Sequence, residues 1–256
     1  MDKELGPSRF KGETIRFLCL ITIFPIFLSC ATYSVKADDR PAEITPFIKE
    51  FVAHHTAQIG LSEQLIFATN RDSLSSVVTI DTVERKNGSW QIIFPEFLGS
   101  IGEMGFAAVD DKREGDGKSP SGVFPLGIAF GYDPSVKTKM PYRQVTEDDF
   151  WVDDANSEDY NQWVKGEPKA ASWEKMKRDD DKYKYGVVIE YNRSPIVKGK
   201  GSAIFLHVRK EAGPTRGCVS MPEEMVLKIL EWLDPAKKPL IIMGTESELE
   251  AMKPRQ

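Results

Sequence analysis

The chain has 256 residues, 41% hydrophobic and 29% charged, with a net charge of −5. That length suits one mid-sized domain with additions, and that composition is ordinary for a folded globular protein. The acidic balance argues against a general nucleic-acid binder.

Residues 1–37 stand apart. Lys3, Arg9, Lys11 and Arg16 precede an apolar run from Phe17 to Leu28, and small residues follow. A basic start, a short apolar stretch and a cleavage zone make an export signal. Val35-Lys36-Ala37 fits a cleavage site before Asp38. Phe27-Leu28-Ser29-Cys30 is a loose lipoprotein box, which leaves a lipid anchor on Cys30 open as a second route. An uncleaved span ranks last, because twelve residues interrupted by Pro25 fall short of the roughly 20 a bilayer needs.

Residues 38–60 read as a polar linker followed by a short helix. Ile44, Phe47, Ile48, Phe51 and Val52 recur at helical spacing up to about His55. Adjacent His54 and His55 point in different directions on a helix and lack a surrounding Cys/His/Asp cluster, so no metal site is expected.

From Leu61 the pattern turns to β. Residues 64–69 and 76–83 are candidate strands, Asn87-Gly88 signals a hairpin turn, and 90–94 form the returning strand. Short runs of this kind suggest a sandwich or barrel. Gly115 to Gly122 looks like a phosphate loop but has Lys112 where the first glycine of that motif would stand. It reads instead as a turn into a strand, Gly122 to Ile128. Residues 134–174 are the least regular and carry many aromatics, suiting either a binding lid or a loop packed on the sheet by its rings. Tyr185 to Tyr191 is another β run.

The stretch from Ala203 to Met221 carries the chemistry. An apolar run ends in His207, a loop with Gly213 and Pro214 follows, and Thr215-Arg216-Gly217-Cys218 leads into Val219. A hairpin reversal near Ala212 would set His207 opposite Cys218, within imidazole–thiol reach. A neighbouring imidazolium holds a cysteine as its nucleophilic thiolate. Gly217 would let a substrate carbonyl approach the local backbone N–H groups, which would hold an oxyanion. Without residues 1–37, Cys218 is the one cysteine left, since the others are Cys19 and Cys30. A solitary thiol in an exported protein is reactive or paired between chains.

Beyond it, Ser220 and Glu223 fit a capping box with Pro222 in the first turn. Val226, Ile229, Leu230 and Leu233 make an apolar helical face, Asp234-Pro235 stops it, and residues 240–243 form a last buried strand. Residues 245–256 read as a polar tail.

I-F-L-H-V followed by P-T-R-G-C-V-S-M-P resembles the signature of the YkuD-type L,D-transpeptidases, cysteine enzymes of peptidoglycan. The likeness extends over roughly 61–244, including M-P-Y-R at Met140–Arg143. It implies a mainly β, sandwich-like catalytic domain with one or two packed helices. It also implies Cys218 as nucleophile, His207 as acid/base and Gly217 as oxyanion donor. Thr215, Arg216, Arg143 and Tyr142 are then the expected substrate-binding residues. Arg216 occupies the place of the family's second histidine, and the loop from His207 to Cys218 is shorter than usual. The implied reaction is acyl transfer between peptidoglycan stem peptides by an exported monomer, with no cofactor or metal. The alternatives are hydrolysis on the same scaffold, or a non-catalytic wall-binding module. A redox role fits poorly, because one thiol lacks a resolving partner.

Overall fold

A computed structural model describes residues 43–252. The expected export signal, the Cys30 anchor and the end of the tail lie outside them.

Helix α1 (Pro46–His54) starts where Thr45 caps it, its hydroxyl accepting from the Ile48 N–H at 3.3 Å. Pro46 suits the first turn, where its missing N–H costs nothing. Ile48 and Phe51 face inward, and one more turn, α2 (Thr56–Ile59), follows. His55 is a packing residue. Its ring stacks on Phe51 and bonds the carbonyls of Phe51 and Met252, each at 3.1 Å.

Strands β1 (Gln64–Asn70), β2 (Val77–Lys86) and β3 (Ser89–Ser100) form an antiparallel meander. The β2–β3 turn has positive φ at both Asn87 and Gly88, as an Asn-Gly hairpin requires. β4 (Gly122–Gly131) and β5 (Tyr142–Gln144) pair in parallel.

The aromatic region is more regular than its sequence suggests. β6 (Asp149–Val152), β7 (Trp163–Lys165) and β8 (Trp173–Lys175) form a small antiparallel sheet with β6 in the middle. β9 (Tyr185–Ile189), β10 (Phe205–Val208) and β11 (Val219–Met221) are wholly buried. β12 (Leu240–Thr245) pairs with β1 on one side and β4 on the other. The order β12-β1-β2-β3-β11-β10-β9-β4 therefore returns to β12, and β5 extends it beyond β4. The domain is mostly β and barrel-like, in line with the expected sandwich-like class.

Helix α3 (Glu223–Trp232) places Val226, Ile229 and Leu230 in the core against β9 and β10. Each such side chain contributes roughly 1.5–3 kcal/mol on burial. Its start differs from expectation. Ser220 belongs to β11 and Pro222 is the N-cap, with no side-chain cap bond. Pairing in the sheet removes Ser220 from the position a capping box needs. The tail also departs from expectation. Thr245 caps α4 (Glu246–Ala251), and Leu249 is buried against the α1 layer.

Strand alternation divides the core. Leu206, Val208, Val219 and Met221 face the layer containing α3. Phe205 and Cys218 face the other layer, with Trp151, Met176 and Tyr183. The small sheet thus covers the face on which the cysteine lies.

Candidate active site

The expected hairpin does not form. β10 and β11 run parallel, with Leu206 opposite Val219 and His207 opposite Ser220. The connecting loop extends away and returns, because Thr215 is pinned to 101–103. Its N–H bonds the Ile101 carbonyl, and its carbonyl takes the Glu103 N–H, each at 2.8 Å. Residues two apart share a strand face. Extending the register one step sets Cys218 beside Phe205, whose N–H reaches the sulfur at 3.4 Å. His207 and Cys218 are therefore diagonal neighbours on one face rather than opposed residues.

Both line a cleft of about 700 Å³, with Glu174, Tyr183, Lys182, Arg178 and Arg216 among its walls. No hydrogen bond joins His207 to Cys218 among the described residues. The sulfur bonds the Ala203 carbonyl at 3.2 Å. His207 Nδ1 lies 2.8 Å from the Val208 carbonyl. A carbonyl only accepts, so Nδ1 carries the proton and Nε2 keeps its lone pair. The ring meets Tyr183 edge-on, centroids 5.2 Å apart.

The resting pair is neutral, not the thiolate and imidazolium that sequence reasoning expects. Burial pushes the Cys218 thiol up to about 12, with the Glu174 charge acting in the same direction. Burial pulls His207 down to about 4, helped by Arg178 and Lys182. Moving the proton from sulfur to ring is therefore unfavourable without substrate, and the attraction between the two charges formed offsets only part of the burial cost. That is affordable within a catalytic barrier only if bound substrate stabilises the charges as they form.

Burial of His207 has a testable consequence. Its folded value, about 4, lies below the ordinary 6.5 of the unfolded chain. Between those values the unfolded chain binds the extra proton, so stability is full above pH 6.5 and falls as pH drops towards 4. Denaturant titrations of wild type and His207→Gln should therefore diverge. The difference should move by about 3 kcal/mol in the variant's favour between pH 7 and pH 4. Parallel pH profiles would show that His207 is not buried neutral.

The loop before Cys218 is tightly braced. Gly217 has φ 146°, and a Cβ there would meet the Lys118 carbonyl oxygen at 2.9 Å. Ser119 bonds the Gly217 carbonyl at 2.7 Å and takes the Gly102 N–H at 3.0 Å. The turn read as a failed phosphate loop therefore holds the cysteine loop.

Several expected roles change place. The Gly217 N–H is engaged by Thr215 Oγ1 at 3.1 Å, so it is not free as an oxyanion donor. The Thr215 hydroxyl in turn donates to the Cys218 carbonyl at 2.7 Å, which makes Thr215 a brace. Arg216 is exposed at the cleft wall. Arg143 and Tyr142 sit in β5 and do not line the cleft. Arg143 pairs with buried Asp149 at 2.5 Å and stacks over Trp163 at 4.2 Å. The Tyr142 hydroxyl donates to the Asp133 carbonyl at 2.6 Å.

A family model for the L,D-transpeptidase catalytic domain, YkuD, matches residues 79–242. The chain belongs to the YkuD family. Family members act on peptidoglycan, which places such domains at the cell envelope. No curated protein matches the chain. Among solved structures, the helical cell shape determining protein Pgp2 from Campylobacter jejuni is similar to it at 16% identity and a TM-score of 0.37. The match covers 77% of this chain and 53% of Pgp2, so the chain spans about half of that protein. No described helix is long and apolar enough to cross a membrane.

Within this YkuD domain, sequence reasoning missed Glu174 and Tyr183. Each comes from a segment remote from the His207–Cys218 motif, and only the fold brings them to the cleft. The sole signal was the place of Glu174 at the end of the aromatic-rich stretch; Tyr183, between that stretch and the β run at Tyr185, carried none.

Proposed function

We propose that the chain is an L,D-transpeptidase that joins peptidoglycan stem peptides through a Cys218 thioester. The observation that carries this reading is one cleft lined by both Cys218 and His207, with His207 held in the tautomer whose Nε2 accepts a proton. The thiol proton passes to Nε2 as sulfur attacks a stem-peptide carbonyl. The oxyanion collapses, the C–N bond breaks, and the imidazolium returns its proton to the departing D-alanine amine. His207 then deprotonates the amine of a second stem, which attacks the thioester and releases the thiol. No nucleoside triphosphate is needed, because the thioester retains the energy of the broken bond.

The Cys218 N–H is the best-placed oxyanion donor, since no described residue engages it while Thr215 occupies its neighbour. Exposed Arg216 is positioned to meet a substrate carboxylate. Export through residues 1–37, with or without a lipid on Cys30, would deliver a monomer carrying a single thiol to the wall.

Incubation with purified muropeptides tests the reading. Cross-linked dimers with release of D-alanine are expected. Cleaved monomers alone would show that water, not amine, is the acceptor. Binding without bond change would leave a wall-binding module.

A further inference from the structure

The cleft that holds the cysteine is also lined by a carboxylate that the acyl-transfer scheme does not use. Glu174, on β8, accepts the Tyr183 hydroxyl at 2.5 Å. Tyr183 is buried in the same cluster as Cys218. Its ring meets His207 edge-on and also Phe205, the residue whose N–H reaches the sulfur, at 5.4 Å. Tyr183 is thus packed against both sides of the reacting pair, and Glu174 holds its proton.

We propose that Glu174 is a positioning residue that governs Cys218 through the Tyr183 hydroxyl, competing with the sulfur for that O–H. A phenol has a single proton to give, so the bond to the carboxylate weakens the one it can offer a thiolate. Neutralising Glu174, by protonation or by a cationic substrate group, reverses this. Glu174 then competes more weakly, and the Tyr183 O–H shifts towards the sulfur as the thiol proton leaves for His207 Nε2. No bond other than S–H is broken, and the phenol keeps its proton throughout.

The surrounding charges agree with this arrangement. Burial raises Glu174 above the usual carboxylate range, with the Asp153 and Glu114 charges adding to it and Tyr183 and Arg178 opposing. Glu174 therefore lies nearer to neutrality than an exposed glutamate. Glu174 raises the Cys218 thiol, whereas Tyr183 and Arg178 lower it. Lys182 and Arg178 face His207 and favour its neutral form.

The inference rests on Cys218 being the nucleophile, but its test reads the thiol itself. Alkylation of Cys218 by iodoacetamide is followed against pH in the full chain by peptide-resolved mass spectrometry. Glu174→Gln should lower the alkylation midpoint by about one pH unit, and Tyr183→Phe should raise it. On the Tyr183→Phe background, the Glu174→Gln shift should shrink to less than half. An unchanged midpoint in Glu174→Gln, or an equal shift on both backgrounds, overturns the proposal. A merely structural Glu174 would alter stability and leave the midpoint in place. Failure to form muropeptide dimers would count against the acyl-transfer reading alone, since alkylation needs no wall substrate.

Discussion

Cys218→Ala is expected to abolish covalent capture of a carbapenem and to cut acyl transfer between muropeptides by at least about 10³-fold. The physical reason is that the reaction has no other nucleophile in place. Cys218 is the sole cysteine among the described residues, and it shares its cleft with the imidazole that would take its proton. Loss of sulfur leaves the packing almost intact, because Ala fits beside Phe205 and Ala203 with only a small void. Intact-mass spectrometry should give a stoichiometric adduct for wild type and none for the variant, with equal thermal melting. His207→Gln should slow adduct formation by about 10²–10⁴-fold, the usual contribution of a positioned base. An adduct that survives Cys218→Ala would end the enzyme reading.

The second large effect is on stability. Asp149→Ala should destabilise the domain by about 3–5 kcal/mol, the cost of removing one partner of a buried charge network. Asp149 is 1% exposed. It accepts from Arg143 at 2.5 Å, the Thr146 N–H at 2.8 Å, the Thr146 hydroxyl at 2.7 Å and the Trp163 ring N–H at 3.0 Å. Burial alone would raise its carboxyl, but the Thr146 and Trp163 bonds and the Arg143 charge outweigh burial and hold it below the usual range. Its contribution is therefore present above the unfolded value near 3.9 and lost as pH falls through the folded one. Thermal melting should drop by roughly 10 °C. Arg143→Ala should cost less, since Arg143 is about a third exposed and Thr146, Trp163 and Lys165 still serve Asp149. A raised KM for Arg143→Ala at unchanged melting temperature would instead return Arg143 to the substrate-binding role its motif suggested.

The same network shows why residues 134–174 misled a linear reading. Strands of three or four residues have too few positions to display alternation. β6 is buried on both faces, so it shows no alternation at all. Its partners lie 12 to 25 residues away, and Asp149 helps hold them together. The long elements behaved otherwise. β2, β3 and the Asn87-Gly88 turn, α1, the face of α3 and β12 were all legible, because local spacing and turn chemistry fixed them.

By itself, the chain's order of residues determined its mainly β character, the helical face after the cysteine and the identity of the His207–Cys218 motif. These depend on period, propensity and residue type, which act over a few neighbours. Only the tertiary structure decided that β10 and β11 are parallel, that the pair rests neutral, and that Arg143 braces Asp149. It also decided that Glu174 and Tyr183 line the same cleft as the sulfur. Strand direction was set by contacts of the loop with 101–103, and ionisation by the burial that the small sheet imposes. Both forces come from segments far away in sequence, so no local pattern could carry them.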